Sequence, residues 1–153
     1  MNNQLKYKTR IAFIQVVFQY LSNRTDIMEI SNSFIKNYKG TYVDSFYDKK
    51  KMKFEFSSNF LKNLINFFIT FTNTKNFIKD INQLIEFDRK FEKWDIINQS
   101  ILLCILTEIK NNKSDKVKII LNEYINISKL FVSKAETGLI NAITDKIMCN
   151  EKK

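Results

Sequence analysis

Across 153 residues this chain has no proline and only two glycines, Gly40 and Gly138. Tight turns take most of their special backbone geometries from Gly and Pro, and a β-rich domain of this length needs many such turns. The scarcity therefore favours helices joined by loops of Asn, Ser, Thr and Lys. The length fits one domain, residues 1–153, and a 44% hydrophobic, 14% aromatic content supplies a core and excludes wholesale disorder.

Apolar periodicity places the helices. Over residues 5–21, Ile11, Ile14, Val17, Phe18 and Leu21 recur at spacings of three and four, the pattern of an amphipathic helix. Thr25 or Asp26 can cap a second helix carrying Ile27, Ile30, Phe34 and Ile35 and ending near Tyr38. Residues 39–56 show no helical period and read as a connecting loop, extended at its end, with room for a short strand. Ser57 or Ser58 caps a third helix through Phe60, Leu61, Leu64, Ile65 and Phe68. A fourth carries Phe77, Ile78, Ile81, Leu84 and Ile85. Residues 94–109 are apolar on most of the circumference and predict the most buried helix. Ser114 and Asp115 cap a sixth, which carries Val117, Ile120, Leu121, Tyr124, Ile125 and Phe131. After a turn around residues 133–136, a last helix carries Leu139, Ile140, Ile143 and Ile147, with Gly138 in or just before its first turn. The expectation is an all-α, compact bundle of six or seven helices.

The chemistry of catalysis is missing from the composition. No histidine is present, which removes the commonest general base and metal ligand. Cys104 and Cys149 stand far apart among apolar residues, the pattern of two buried free thiols in a reducing compartment, and they cannot make a zinc site. The glycines are too distant to build a phosphate loop, and carboxylate pairs such as Asp80 with Asp88 sit among lysines on solvated faces. The expectation is a protein that is not an enzyme and that holds neither cofactor nor metal. The longest apolar run, residues 64–71, is too short to span a bilayer, and no signal peptide is visible, which predicts a cytoplasmic protein without a membrane partner.

The formal net charge of +9 calls for an anionic partner, nucleic acid before membrane, although AT-rich coding alone can enrich a chain in Lys, Asn, Ile and Phe. Lys6, Lys8 and Arg10 crowd the first turns of the first helix, where cations oppose the helix dipole. Their placement is poor for helix stability, so phosphate contact is preferred over a merely solvated terminus. Lys49, Lys50, Lys51 and Lys53 form a denser run, read as a solvated loop and as the next place to look for RNA contact.

Two stretches read together resemble the NusB family. Lys8-Thr9-Arg10 followed by Gln15-Val16-Val17-Phe18 is similar to that family's basic entry and its Ala-Leu-Gln-x-Leu-Tyr. Lys118 to Glu123, then Ile127-Ser128-Lys129-Leu130-Phe131 and Leu139-Ile140-Asn141-Ala142-Ile143-Thr144-Asp145-Lys146, follow the family's C-terminal motifs in order. Trp94 and Ile101-Leu102 with Glu108 echo its central motif. The departures are Leu103 for an Arg, Thr107 for a Tyr, Asn98 for an acidic position, Leu139 for a Phe that stacks on RNA, and Ala142 for a Gly.

The resemblance implies two three-helix halves plus a connecting helix. It also implies a transcription antitermination factor that binds boxA-type single-stranded RNA together with NusE, a small-subunit ribosomal protein, and works on the transcription elongation complex of ribosomal RNA operons. The residues placed at RNA are Lys6, Lys8, Arg10, Gln15, Lys134, Thr137, Gly138, Leu139 and Asn141, and those placed at the protein partner are Phe18, Asn98 and Leu102. Phe18, at apolar spacing, reads first as core, and partial exposure would favour the interface instead. Asn122 and Glu123 read as a polar tie between helices. One alternative is a degenerate NusB-like interaction module, homodimeric or not, without RNA binding. The other is the N-terminal domain of an RNA cytosine methyltransferase, which needs a long catalytic domain that this sequence does not carry.

Overall fold

Short polar side chains start most of the helices, as the sequence pattern requires. Asn2 Oδ1 accepts from the Leu5 amide (2.7 Å) at the start of α1 (Asn3–Asn23), and Asp26 from the Met28 amide (3.1 Å) at the start of α2 (Ile27–Tyr38). Ser57 Oγ accepts from the Phe60 amide (3.1 Å) at the start of α3 (Ser58–Thr72). Each of these bonds satisfies an amide that the helix itself leaves open. The computed structural model describes residues 1–44, 50–86 and 89–151, so Lys49 and Asp88 lie outside the described residues. Among the described residues there are seven α-helices, the others being α4 (Phe77–Gln83), α5 (Ile96–Lys110), α6 (Ser114–Ser128) and α7 (Lys134–Glu151). A 3₁₀ turn at Phe91–Lys93 and a two-stranded antiparallel ribbon, β1 (Tyr42–Asp44) with β2 (Lys51–Lys53), complete the list. The class is all-α.

The chain divides into two compact units, Met1–Asn66 and Phe67–Lys153, with the division inside α3. The first thus holds two whole helices and the start of a third, and the second holds the rest of α3 with α4–α7. In the first unit α1 packs against α2. Ile27, Ile30 and Phe34 of α2 are buried at the predicted spacing, and Phe34, Phe54 and Phe56 form a ring cluster with centroids 5.1–6.5 Å apart. The ribbon is fastened at its base, where the Gly40 amide donates to Phe54 O and the Phe54 amide to Thr41 O, both at 2.7 Å. Gly40 has φ +77°, a conformation in which a Cβ is strained, so one of the two glycines is required by the backbone.

Helix α1 buries Ile11, Ile14 and Val17 as expected, but not the last two residues of the stripe. Residues 9–14, 16 and 17 are all buried, while Phe18 is 39% exposed and Leu21 half-buried. The stripe counted from the sequence included Phe18 and omitted Ala12, Phe13 and Val16, because a helix buried nearly all round gives no single apolar face to count.

In the second unit α5 packs against α6 and α7, and α6 against α7. Ten consecutive residues of α5, Ser100 through Ile109, are buried, as predicted for the most apolar segment. The polar tie between α5 and α6 is Tyr124, whose hydroxyl donates to Glu108 Oε1 at 2.7 Å; both residues are buried. Of the two residues expected to tie α6 to its neighbours, Asn122 is exposed and Glu123 half-buried. Two boundaries also move. Lys113 rather than Ser114 or Asp115 occupies the cap position of α6, and Phe131 falls in the turn beyond its end.

The two cysteines part company. Cys104 is buried and Cys149 exposed, which corrects the expectation of two buried thiols. Burial, and secondarily the charge of Glu108, pushes the Cys104 thiol well above the usual range, and it is the thiolate that reacts. The native protein is therefore expected to titrate one thiol rapidly with a chromogenic disulfide reagent and the second only on unfolding. Two fast thiols would show that α5 opens readily.

Candidate nucleic-acid interface

The basic entry of α1 places Lys6, Lys8 and Arg10 in its first turns. No acidic residue occupies the first turn of α1. Lys6 and Lys8 are half-exposed, each free to present an ammonium to solvent along a partly covered stem. Thr9 locks the turn to the rest of the first unit, with its hydroxyl donating to Leu5 O (2.6 Å) and accepting from the Ser57 amide (2.9 Å).

Arg10 behaves differently from its two neighbours. It is only 8% exposed, and its guanidinium carbon lies 5.7 Å from the centroid of the Phe60 ring. A cation over an aromatic face is held by the ring quadrupole, so Arg10 is packed within the unit rather than displayed as a surface phosphate contact. That corrects its sequence-based placement. Gln15 is half-buried in the wall of a cleft of about 140 Å³, with Phe34, Tyr38, Val43 and Phe54. Phe18, one turn further, is the exposed aromatic of α1, the outcome that favours an interface over the core.

In the second unit the expected residues gather at the start of α7, which is capped from within. Ser133 Oγ accepts from the Glu136 amide (3.2 Å), while Glu136 Oε1 accepts from the Ser133 amide (3.3 Å) and hydroxyl (2.9 Å). This reciprocal capping box was legible as Ser133-x-x-Glu136 and was missed. Asn98 Nδ2 donates to the second carboxylate oxygen at 2.6 Å. The Asn98 bond first, and the Ser133 bonds after it, hold the Glu136 carboxyl below the usual carboxylate range. The amides of Glu136 and Thr137 are thus satisfied internally and a carboxylate sits beside them, so the helix start offers a phosphate less than the sequence suggested.

The remaining residues sort by face. Lys134, Gly138 and Asn141 are all exposed, and their spacing of four and three puts them on one side of α7. Thr137 points the other way; it is buried, and its hydroxyl oxygen accepts from Ser128 Oγ at 3.3 Å, which makes it a tie between α6 and α7 rather than an RNA contact. A Cβ at Gly138 would meet nothing within 4 Å, so no close packing demands glycine there. Leu139 is half-buried. Leu102 has no exposed surface and Leu103 almost none, so both are core, which corrects the placement of Leu102 at a partner. Asn98 is engaged with Glu136, while its carbonyl oxygen is buried without a donor.

Among the described residues no group of three or more Cys, Asp or Glu could hold a metal, and no helix is long and apolar enough to cross a membrane.

The model of the NusB family matches residues 7–148. Relatives named transcription antitermination protein NusB align over nearly the whole chain. The one from Rickettsia bellii is 26% identical over 99% of this chain and 96% of its own. That from Buchnera aphidicola is 29% identical over 94% and 90%, and that from Rickettsia typhi 25% identical over 90% and 87%. Among solved structures, NusB of T. maritima superposes with a TM-score of 0.66 at 19% identity, covering 93% of this chain and 89% of its own, a likeness of fold.

Proposed function

The chain belongs to the NusB family, and from that premise we propose that it is a transcription antitermination factor that binds boxA-type single-stranded RNA together with NusE. It would act in the cytoplasm on the transcription elongation complex and support transcription of ribosomal RNA, without catalysis. The observation that carries the reading is the family match from residue 7 to residue 148. The geometry adds Lys6 and Lys8 on the first turns of α1, and the exposed face Lys134, Gly138 and Asn141 of α7. Charge supplies affinity there. Leu139 gives no aromatic face for a base, so specificity falls mainly to the surface that NusE completes. Phe18 is the residue of α1 exposed to meet that partner.

The test is a titration of boxA-type RNA into the protein, with and without NusE, at low and high salt. Binding should tighten when NusE is added and weaken as salt rises. The double variant Lys6→Gln, Lys8→Gln should flatten the salt slope by about 1.4, at roughly 0.7 per single-strand phosphate. A folded sample that binds no RNA in either condition would overturn the RNA reading. The chain would then be a NusB-like interaction module, as the loss of the aromatic at Leu139 already favours, and its oligomeric state would be the next question.

A further inference from the structure

We propose that the outer face of the β1–β2 ribbon is a second contact surface for single-stranded RNA, with Tyr42 as a stacking platform beside Lys53 and with Lys51 one pair further along. The proposal rests on the RNA-binding reading above and adds to it a surface that lies in the least family-like part of the sequence.

The pairing register creates the face. Tyr42 lies directly opposite Lys53, and Asp44 opposite Lys51. Directly opposed residues on a ribbon share one side and stand about 5 Å apart, and all four of these are exposed. The alternate pair, Val43 with Met52, takes the other side, where Val43 closes on the small cleft lined by Gln15, Phe34, Tyr38 and Phe54. The ribbon is therefore seated on the first unit through one face and presents the other to solvent.

That outer face carries an exposed ring and two lysines, each lysine beside a carboxylate that a phosphate would have to displace. Tyr42 is 71% exposed, so its ring adds almost nothing to the core, yet it lies beside Lys53 as a base would need. Stacking of bases on exposed aromatic rings, with cations alongside for the phosphates, is the general recipe for single-stranded binding. The lysines are tied only loosely. Lys51 pairs with Asp44 at 2.8 Å and Lys53 with Glu55 at 3.5 Å, with every side chain more than two-fifths exposed. Solvent-exposed pairs of this kind contribute little, and a phosphate can replace the carboxylate.

Continuity with the first helix makes the surface useful. The chain leaving β2 passes through buried Phe54 and Phe56 to Ser57, whose amide bonds Thr9 between Lys8 and Arg10. Gln15 forms a wall of the cleft beneath Val43. A strand held at the basic entry of α1 has the ribbon as a neighbour in the same unit.

The experiment uses the full chain with Tyr42→Ala, Tyr42→Phe and the double variant Lys51→Gln, Lys53→Gln. Each is titrated with a labelled boxA-type RNA, and with the same RNA extended at both ends, at low and high salt. Tyr42→Ala should weaken the extended RNA by about tenfold, within the roughly five- to hundredfold range of one lost stacking partner, and Tyr42→Phe should restore it. The lysine variant should flatten the salt slope by about 1.4. Melting temperatures should stay at the wild-type value, because all three side chains are exposed. Wild-type binding by both ribbon variants, alongside weakened binding by Lys6→Gln, Lys8→Gln, would overturn the ribbon and leave the RNA reading intact. No RNA binding by the wild-type protein would overturn both. Tyr42-dependent binding to phosphatidylserine vesicles, with none to RNA, would make the ribbon a membrane contact and overturn the proposal.

Discussion

Leu102→Ala should lower stability by about 2–5 kcal/mol, whereas Phe18→Ala should change it by less than about 1 kcal/mol. The family pattern places both residues at the protein partner, yet the two environments differ completely. Leu102 has no exposed surface and lies within ten consecutive buried residues of α5. Truncating it removes apolar contacts and leaves a cavity that a helix packed on both α6 and α7 cannot close. For a domain of this size each kcal/mol moves the melting temperature by roughly 2–4 °C, so the loss is large in a simple thermal scan. Phe18, at 39% exposure, keeps much of its ring in water already. On the proposed function its loss should show instead as weaker association with NusE in a sample that melts normally. Leu102→Ala would weaken association only in proportion to its unfolding. A Leu102→Ala protein that melts like wild type but no longer holds NusE would refute the core assignment.

The same contrast shows what the sequence reveals and what it withholds. Helices α2 and α5 were legible because one has a clean stripe, Ile27, Ile30 and Phe34, and the other is apolar throughout. In α1 the stripe catches Ile11, Ile14 and Val17 but not the equally buried Ala12, Phe13 and Val16, since burial on nearly all sides depends on tertiary packing that periodicity does not record. Lys6 and Lys8 stand out because charge at a helix start has a local signature, and both are half-exposed. Arg10 carries that same signature, and only the position of the Phe60 ring separates it from them. Leu102 and Thr137 failed for a related reason, as family motifs mark residues without saying which way they face. A short strand is legible towards the end of the 39–56 segment, but its pairing with residues 42–44 is not, because strands of three residues leave almost no alternation to count. Asn122 and Glu123 are the polar residues that suggest a tie from α6 to its neighbours, whereas the next residue, Tyr124, makes the bond to α5 without such a signal. A tyrosine at an apolar position is read as a ring, and its hydroxyl is overlooked.

Tyr124 with Glu108 gives the second large effect, and it should appear as non-additivity. The tyrosine hydroxyl donates to Glu108 Oε1 at 2.7 Å with both residues buried. A hydrogen bond to a charged acceptor contributes about 1.5–3 kcal/mol. Tyr124→Phe removes the donor with little change of shape and leaves the buried carboxylate short of a partner, so it should cost about 2–3 kcal/mol. Glu108→Leu removes the acceptor and strands the hydroxyl, at a cost of about 1–3 kcal/mol. The double variant removes the Tyr124–Glu108 bond from both sides and keeps the interior filled, so the loss of that bond is counted once rather than twice. The double variant should therefore lose less than the sum of the two single losses, with a coupling of about 1–2 kcal/mol. Urea denaturation of the four proteins measures it. Strictly additive losses would mean that the hydroxyl and the carboxylate stabilise α5 and α6 independently, and the tie between those helices would then reduce to apolar packing alone.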